Sequence, residues 1–384
     1  METGNFNRRQ FMISMSAASF AFMASNPVAS FEKAVEKAGG FDGFGLLFYK
    51  DSDGRQRRVT TLAEWEIKRK QILRGMQDAM GELPDRSALP PPDMEIAGKL
   101  KEDNYTRLTI HFTAAAEERV PAYLYVPNQK EGKRYPAMLA AHPTGAAGKG
   151  IVDGQTKLPN RAYAKELAQR GYVVIAPDYP SFGDLKEYDF KTDRYQSGTM
   201  KNIFDHIRCI DLLQARPDVD PDRIGIIGHS LGGHSAMFTA AFDARLKVIV
   251  SSCGWTLMDH YNAGEAVTKK YGGALGPWAQ ERYMPLIRDK YHLDAKKIPF
   301  DFDEVIAALA PRAFFSNSPL HDSNFDVKGV KKGIAHAAEV YRFLRAPDKI
   351  KVQYPDAEHD FPLEVRMKAY RFIDKMLGAD PHVN

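Results

Sequence analysis

Gly228-His229-Ser230-Leu231-Gly232, followed directly by Gly233, has the spacing G-x-S-x-G, which sets a serine on a sharp turn between a strand end and a helix start. Neighbouring backbone comes so close in such a turn that side chains at the flanking positions would clash, which is the reason for the glycines. A serine hydroxyl is a poor nucleophile until a base takes its proton, so the chemistry open to Ser230 is acyl transfer with an imidazole at hand. Three fixed positions arise by chance in roughly one chain of this length in ten, given glycine near 7% of residues. Context adds to the signal: Ile224, Ile226 and Ile227 read as a buried strand just before the turn, and residues 235–242 continue as a helix just after it.

The base has to be delivered by the fold, and His359 is the candidate. It sits in Pro355-Asp356-Ala357-Glu358-His359-Asp360-Phe361, between the last predicted strand and the last predicted helix. His229 is nearer in sequence, but adjacent residues at a tight turn point apart, so its expected role is packing beside the turn. His234, inside the following helix, reads as a core or supporting histidine. In the chain order Ser, Asp, His, the orienting acid should follow the penultimate strand, and Asp322 does so in Ser318-Pro319-Leu320-His321-Asp322-Ser323-Asn324-Phe325. Asp326 competes for that role, with a solvated turn as its alternative. Asp356, Glu358 and Asp360 lie too close to His359 in the chain to orient its ring. Two amide donors are needed for a developing oxyanion. Leu231 supplies the first, and because Pro143 has no N–H, the second comes from Thr144 or Gly145, with Thr144 favoured.

The elements that position these residues follow from periodicity. Residues 61–80 carry Leu62, Trp65, Ile72, Leu73, Met76 and Met80 at helical spacing, closed by Gly81 and followed by Leu89-Pro90-Pro91-Pro92. Residues 107–113 and 120–126 predict an antiparallel pair. Short apolar strands then alternate with helices: strands over 136–141, 172–176, 223–227 and 246–251, and helices over 161–170, 198–215 and 231–242. Strands over 312–316 and 349–354 flank a helix over 332–345, and a last helix covers 362–377. This alternation predicts an α/β class with a mostly parallel central sheet flanked by helices. Residues 254–300 break the repeat and are rich in Trp255, Tyr261, Tyr271, Trp278, Tyr283, Met284 and Tyr291, so they read as an inserted cap whose aromatics either line a pocket or bury the insertion's own small core.

Composition narrows the function classes. The 384 residues carry a formal charge of +4 with no dense Lys/Arg block, which argues against a nucleic-acid partner. Cys209 and Cys253 are the only cysteines, each inside a predicted element, and read as buried thiols rather than a disulfide framework or a zinc site. Asn7-Arg8-Arg9-Gln10-Phe11-Met12 precedes a small, apolar, serine-rich stretch ending at Val28-Ala29-Ser30. It resembles a twin-arginine signal, with removal expected near Ser30, export to the periplasm or beyond, and the twin-arginine machinery as a transient partner. A membrane span needs about 20 predominantly apolar residues, which this stretch lacks. The expected organisation is a signal peptide over 1–30, a helical preamble over 31–105 and a catalytic domain over 106–378. Oligomeric state is not readable.

With these pieces in place, the chain from about residue 65 to 377 resembles the dienelactone-hydrolase-like and acetyl-xylan-esterase-like branch of bacterial α/β hydrolases. The likeness lies in Val120-Pro121-Ala122-Tyr123-Leu124, Ala176-Pro177-Asp178-Tyr179-Pro180, Val219-Asp220-Pro221-Asp222-Arg223-Ile224-Gly225 leading into the serine turn, Ala310-Pro311-Arg312, and His359 in its terminal loop. The resemblance implies the α/β-hydrolase fold, a Ser230, Asp322, His359 triad and ester hydrolysis without metal or organic cofactor. A small-molecule or carbohydrate ester is the implied substrate. Dienelactone hydrolases proper use a cysteine nucleophile, so serine here argues against dienelactone, and Pro143 departs from the usual residue after the loop histidine. Three other readings compete. A prolyl-oligopeptidase-like peptidase shares the triad order but carries a large propeller for which the preamble is too short. An inactive binding protein of the same fold would tend to lose triad members. A metal hydrolase, suggested by His321-Asp322 and His359-Asp360, lacks helical ligand spacing.

Overall fold

Apolar runs without polar alternation have to be covered on both faces, and here they form the centre of a nine-stranded sheet. The computed structural model describes residues 45–128 and 132–379; the signal segment expected over 1–30 lies outside the described residues. A ribbon of β1 (Phe48–Lys50) and β2 (Gln56–Arg58) pairs antiparallel. The sheet contains β3 (Met94–Lys101), β4 (Tyr105–Ala115), β5 (Glu118–Pro127), β6 (Tyr135–Ala141), β7 (Val173–Pro177), β8 (Val219–His229), β9 (Leu246–Ser252), β10 (Ala313–Asn317) and β11 (Ile350–Gln353). Their order is β11-β10-β9-β8-β6-β7-β5-β4-β3. The strands from β11 across to β7 are parallel, and β5, β4 and β3 close the other end antiparallel.

Side chains alternate across each strand, so one register builds two cores. Leu139, Ile226, Ile249 and Phe314 form one row across β6, β8, β9 and β10, and the next residues, Ala140, Ile227, Val250 and Phe315, form a row on the opposite face. The first face is covered by α1 (Leu62–Met80), α4 (Gly198–Ala215), α5 (Leu231–Phe242), α8 (Phe302–Leu309) and α9 (Val327–Phe343). The second is covered by α3 (Tyr163–Gln169) and α10 (Leu363–Leu377); a single turn, α2 (Lys149–Val152), precedes α3. Helix α1 starts where the sequence predicts, fixed by a capping box in which Thr61 Oγ1 accepts the Glu64 amide and Glu64 accepts the amides of Thr60 and Thr61.

The insertion is mostly irregular, with short helices α6 (Glu265–Tyr271) and α7 (Leu286–Asp289). Its first residues are fastened to α9 and to the loop before it. Gly329 and Gly333 on α9 let that helix press against it, since a Cβ at Gly329 would lie 2.3 Å from Thr256 Oγ1 and one at Gly333 2.8 Å from the Trp255 ring. Tyr261 bridges backbone to backbone with Phe325, tying the insertion to the loop after β10.

Candidate active site

The turn between β8 and α5 holds Ser230 at φ 54° and ψ −120°, a left-handed conformation that a serine adopts only under constraint. The constraint is packing. A Cβ at Gly228 would lie 2.1 Å from the Gly232 carbonyl, and one at Gly232 2.0 Å from Ala141 O on β6. The Ser230 amide donates to Ser252 O at 2.8 Å and its carbonyl accepts the His234 amide at 3.0 Å. Leu231 is the first residue of α5, where amides have no acceptor within the helix and point out of its end. The half-buried Ser230 hydroxyl makes no hydrogen bond among the described residues.

His359 and Asp322 are brought together. Nδ1 of His359 lies 2.9 Å from Asp322 Oδ2, with the carboxylate 1% exposed and the ring 25% exposed. Asp322 Oδ1 accepts the Asn324 and Phe325 amides at 2.9 and 3.1 Å, so its backbone turn aims the other oxygen at the ring. An ionised carboxylate only accepts, which puts the proton on Nδ1 and leaves Nε2 as the basic nitrogen. Nε2 carries no hydrogen bond to Ser230 among the described residues; in unliganded sites this contact is often long and tightens around substrate. The His359 ring packs 4.9 Å from that of His229, the residue next to Ser230, and stacks on Phe325 at 5.8 Å.

Several supporting residues were not legible in the sequence. Arg161 donates to the His359 carbonyl at 3.1 Å and to the Asp360 carboxylate at 2.5 Å, while Asn160 donates to Asp360 at 2.7 Å. Burial works to raise the Asp360 carboxyl, but these hydrogen bonds together outweigh it and hold the group below its usual range. Asn317 at the end of β10 donates to Asp360 O and to Ser252 Oγ, both at 2.8 Å, and Ser252 Oγ meets His229 Nδ1 at 2.9 Å. His229 therefore packs beside the turn, as expected, and burial depresses its imidazole. Asp326 is engaged elsewhere: it caps α9 by accepting the Lys328 amide at 2.8 Å. Asp356 meets His321 at 2.7 Å. Both cysteines are buried and free.

Cys253, Asp322 and His359 place ligand-type atoms within 4.8 Å of one another. The donor chemistry does not suit an ion. Burial pushes the Cys253 thiol well up, so it stays protonated, and both Asp322 oxygens are already occupied by N–H donors.

The loop after β6 is fixed through His142. The Tyr179 amide donates to its Nε2 at 2.9 Å, so Nδ1 carries the proton and donates to Pro143 O at 2.7 Å. Burial lowers the His142 imidazole, keeping it neutral in this role. Asp178, the residue before Tyr179, accepts the Lys149 amide at 2.7 Å and its Nζ at 2.5 Å, anchoring the far end of the same loop. Thr144 lies exposed between these anchors with its hydroxyl 3.3 Å from Tyr283 OH. From Tyr283 the aromatic contacts run to Trp278 (5.7 Å), on to Phe325 (6.2 Å) and to His359. The insertion's aromatics thus bury its core and, together with Phe325 of the loop after β10, form an arc from the Thr144 loop to the base.

His234 belongs to that core. Its ring lies between Phe238 (3.9 Å) and Trp278 (4.5 Å), and neither nitrogen has a hydrogen-bond partner among the described residues. Burial pushes its imidazole down to about 3, and that of His206 likewise to about 3. Below an unfolded value near 6.5 the denatured chain binds protons that the native chain refuses, so stability falls as pH drops from there, by about 1.4 kcal/mol per pH unit for each such histidine. His234→Leu removes one of them together with two unpartnered polar atoms. Urea unfolding at pH 7 should show a gain of about 1 kcal/mol and, between pH 6 and 4, a shallower loss than the parent; an unchanged slope would mean that His234 protonates freely in the native state.

A family profile described as "Glucuronyl esterase, fungi" matches residues 190–345. The putative hydrolase YtaP of Bacillus subtilis (strain 168) is 30% identical over 322 residues, covering 81% of this chain and 99% of that protein. Carbohydrate esterase MZ0003, from an unknown prokaryotic organism, is 27% identical over 214 residues, 51% of this chain and 46% of that one. Among solved structures, a glucuronoyl esterase from Solibacter usitatus superposes with a TM-score of 0.67 at 19% identity, over 88% of this chain and 98% of the other. A putative acetyl xylan esterase from Bacteroides fragilis NCTC 9343 does so at 0.59 and 16%, over 85% and 92%. At these identities the solved structures carry the fold, an α/β-hydrolase sheet with flanking helices.

Proposed function

This chain belongs to the α/β-hydrolase family that includes the putative hydrolase YtaP, and from that premise we propose that it cleaves a carboxylic ester through an acyl-enzyme on Ser230, with His359 as base and Asp322 as orienting acid. The observation that carries this is the Asp322–His359 hydrogen bond, which leaves Nε2 basic on a ring 4.9 Å from that of His229, the residue next to a serine held on a strained turn. Ser230 Oγ attacks the ester carbonyl as His359 Nε2 takes its proton, and Asp322 stabilises the imidazolium. The amides of Leu231 and Thr144 receive the oxyanion. Collapse expels the alcohol, protonated by His359, and a water activated by the same nitrogen then frees the acid.

A carbohydrate ester is the substrate class this reading favours, supported by the glucuronyl esterase profile over residues 190–345 and by the esterase relative MZ0003. Labelling with a fluorophosphonate, the modified peptide being identified, tests the assignment: Ser230 should carry the label and Ser230→Ala should not. Export to the periplasm or medium by the twin-arginine route is part of the same reading, supported by Arg8-Arg9 and the small-residue stretch to Ser30. Lys at both arginines should leave the protein inside the cell; undiminished export would remove this part.

A further inference from the structure

Arg282 is a half-buried cation of the insertion that has no counter-charge among the described residues. Its guanidinium makes no ion pair among the described residues, whereas that of nearby Arg288 is held by Asp289 at 2.7 Å and Glu281 at 3.1 Å. The backbone that carries it is firmly fixed. Arg282 O accepts Tyr179 OH at 2.6 Å, and the carbonyls on either side, of Glu281 and Tyr283, accept the Gly198 and Thr199 amides at 3.0 and 3.1 Å. Only a glycine admits this approach, because a Cβ at position 198 would lie 2.3 Å from Arg282 O. The guanidinium itself rests against the Phe182 ring, 5.6 Å from its centre, and that ring is in turn 5.9 Å from His142. A half-buried cation is therefore presented from a rigid support on the side of the molecule that holds the Thr144 loop.

Phe190, Gln280, Glu281, Arg282 and Arg288 line a wide-open surface cavity of about 340 Å³. Glu281 and Asp289 both pair with Arg288, so Arg282 is the lining cation whose guanidinium has no ion-pair partner of its own among the described residues. A planar fork of donors with no partner suits a carboxylate, which it can bind through two parallel hydrogen bonds. The Phe190 ring supplies an apolar wall for the body of the ligand. Tyr283, the residue after Arg282, touches Thr144, so a chain of sugars lying across the candidate oxyanion loop would bring a neighbouring unit to this cavity.

We propose that the cavity is a subsite for the free carboxylate of an acidic saccharide unit adjoining the one whose ester is cleaved. This rests on the ester-hydrolase reading above and narrows its substrate class.

The test is calorimetric and needs no turnover. Full-length protein carrying Ser230→Ala is titrated with an oligogalacturonide and with a neutral xylo-oligosaccharide of equal length. The acidic oligomer should bind more tightly, and its affinity should fall about tenfold in Arg282→Gln and weaken with added salt. Arg282→Lys, which keeps the charge but not the fork, should recover part of the affinity and its salt dependence. Equal binding of the two sugars, an acidic affinity untouched by Arg282→Gln, or a lysine variant no better than the glutamine one would each overturn the subsite. Because binding is read directly, absence of esterase activity would remove the hydrolase reading without altering this result.

Discussion

Ser230→Ala should lower turnover of a short-chain chromogenic ester by about 10⁵- to 10⁶-fold, with the thermal transition unmoved. The size follows from what remains: the amides of Leu231 and Thr144 can still polarise a bound carbonyl, but no atom is left to form the acyl-enzyme. The unmoved transition follows from the local contacts. The hydroxyl makes no hydrogen bond among the described residues, so its loss strands no partner. What holds the turn, namely the Ser230 amide on Ser252 O and the close packing at Gly228 and Gly232, is backbone and persists with alanine. Alanine meets the same left-handed strain at φ 54° as serine. A variant that turns over at the parental rate would remove Ser230 from the mechanism, and a collapsed transition would mean that the hydroxyl has a structural duty not seen here.

Much of this arrangement was legible because it rests on strong local patterns. The strands β6, β8, β9 and β10 each carry a short apolar run at their centre, and α4 and α5 match the expected ranges at both ends. Other elements gave weaker signals for identifiable reasons. β3 is an edge strand with most side chains exposed on both faces, Lys99 and Lys101 among them, so no alternation marks it. α9 begins at Val327, earlier than the predicted start at 332, and its glycines Gly329 and Gly333 serve close approach to Thr256 and Trp255. α8 went unread although Asp301 and Glu304 form a capping box directly before its apolar run, a signal that was there to be used.

For the site, chain order led to His359 and narrowed its acid partner to Asp322 or Asp326, because acid and base each follow a strand end and the parallel sheet brings those ends to one edge. The residues that brace them were out of reach. Arg161 and Asn317 act on the backbone carbonyls of His359 and Asp360, contacts that leave no spacing in the sequence. Arg282 was equally hidden, since its importance lies in a missing partner, and only the pairing of Arg288 with its two acids makes that visible.

Asp322 and Asp326 could not be separated by spacing, and a pair of substitutions separates them by chemistry. In Asp322→Asn the two amides of Asn324 and Phe325 will claim the side-chain carbonyl oxygen, as they now claim Oδ1. The amide NH₂ must then face His359 Nδ1, which can only accept from it, and the ring proton moves to Nε2. That tautomer has no basic nitrogen to offer Ser230. Turnover should drop about 10⁴-fold with the fold intact. Asp326→Asn is the contrast. Asparagine caps a helix as well as aspartate does, so it can keep the bond to the Lys328 amide, and stability and turnover should both stay within about 0.5 kcal/mol of the parent. Initial rates on one aryl ester, with the thermal transition measured alongside, decide the matter. Should the 326 variant lose activity while the 322 variant keeps more than a tenth of it, the orienting acid would have to be reassigned, and the hydrogen bond at His359 Nδ1 would be a structural contact.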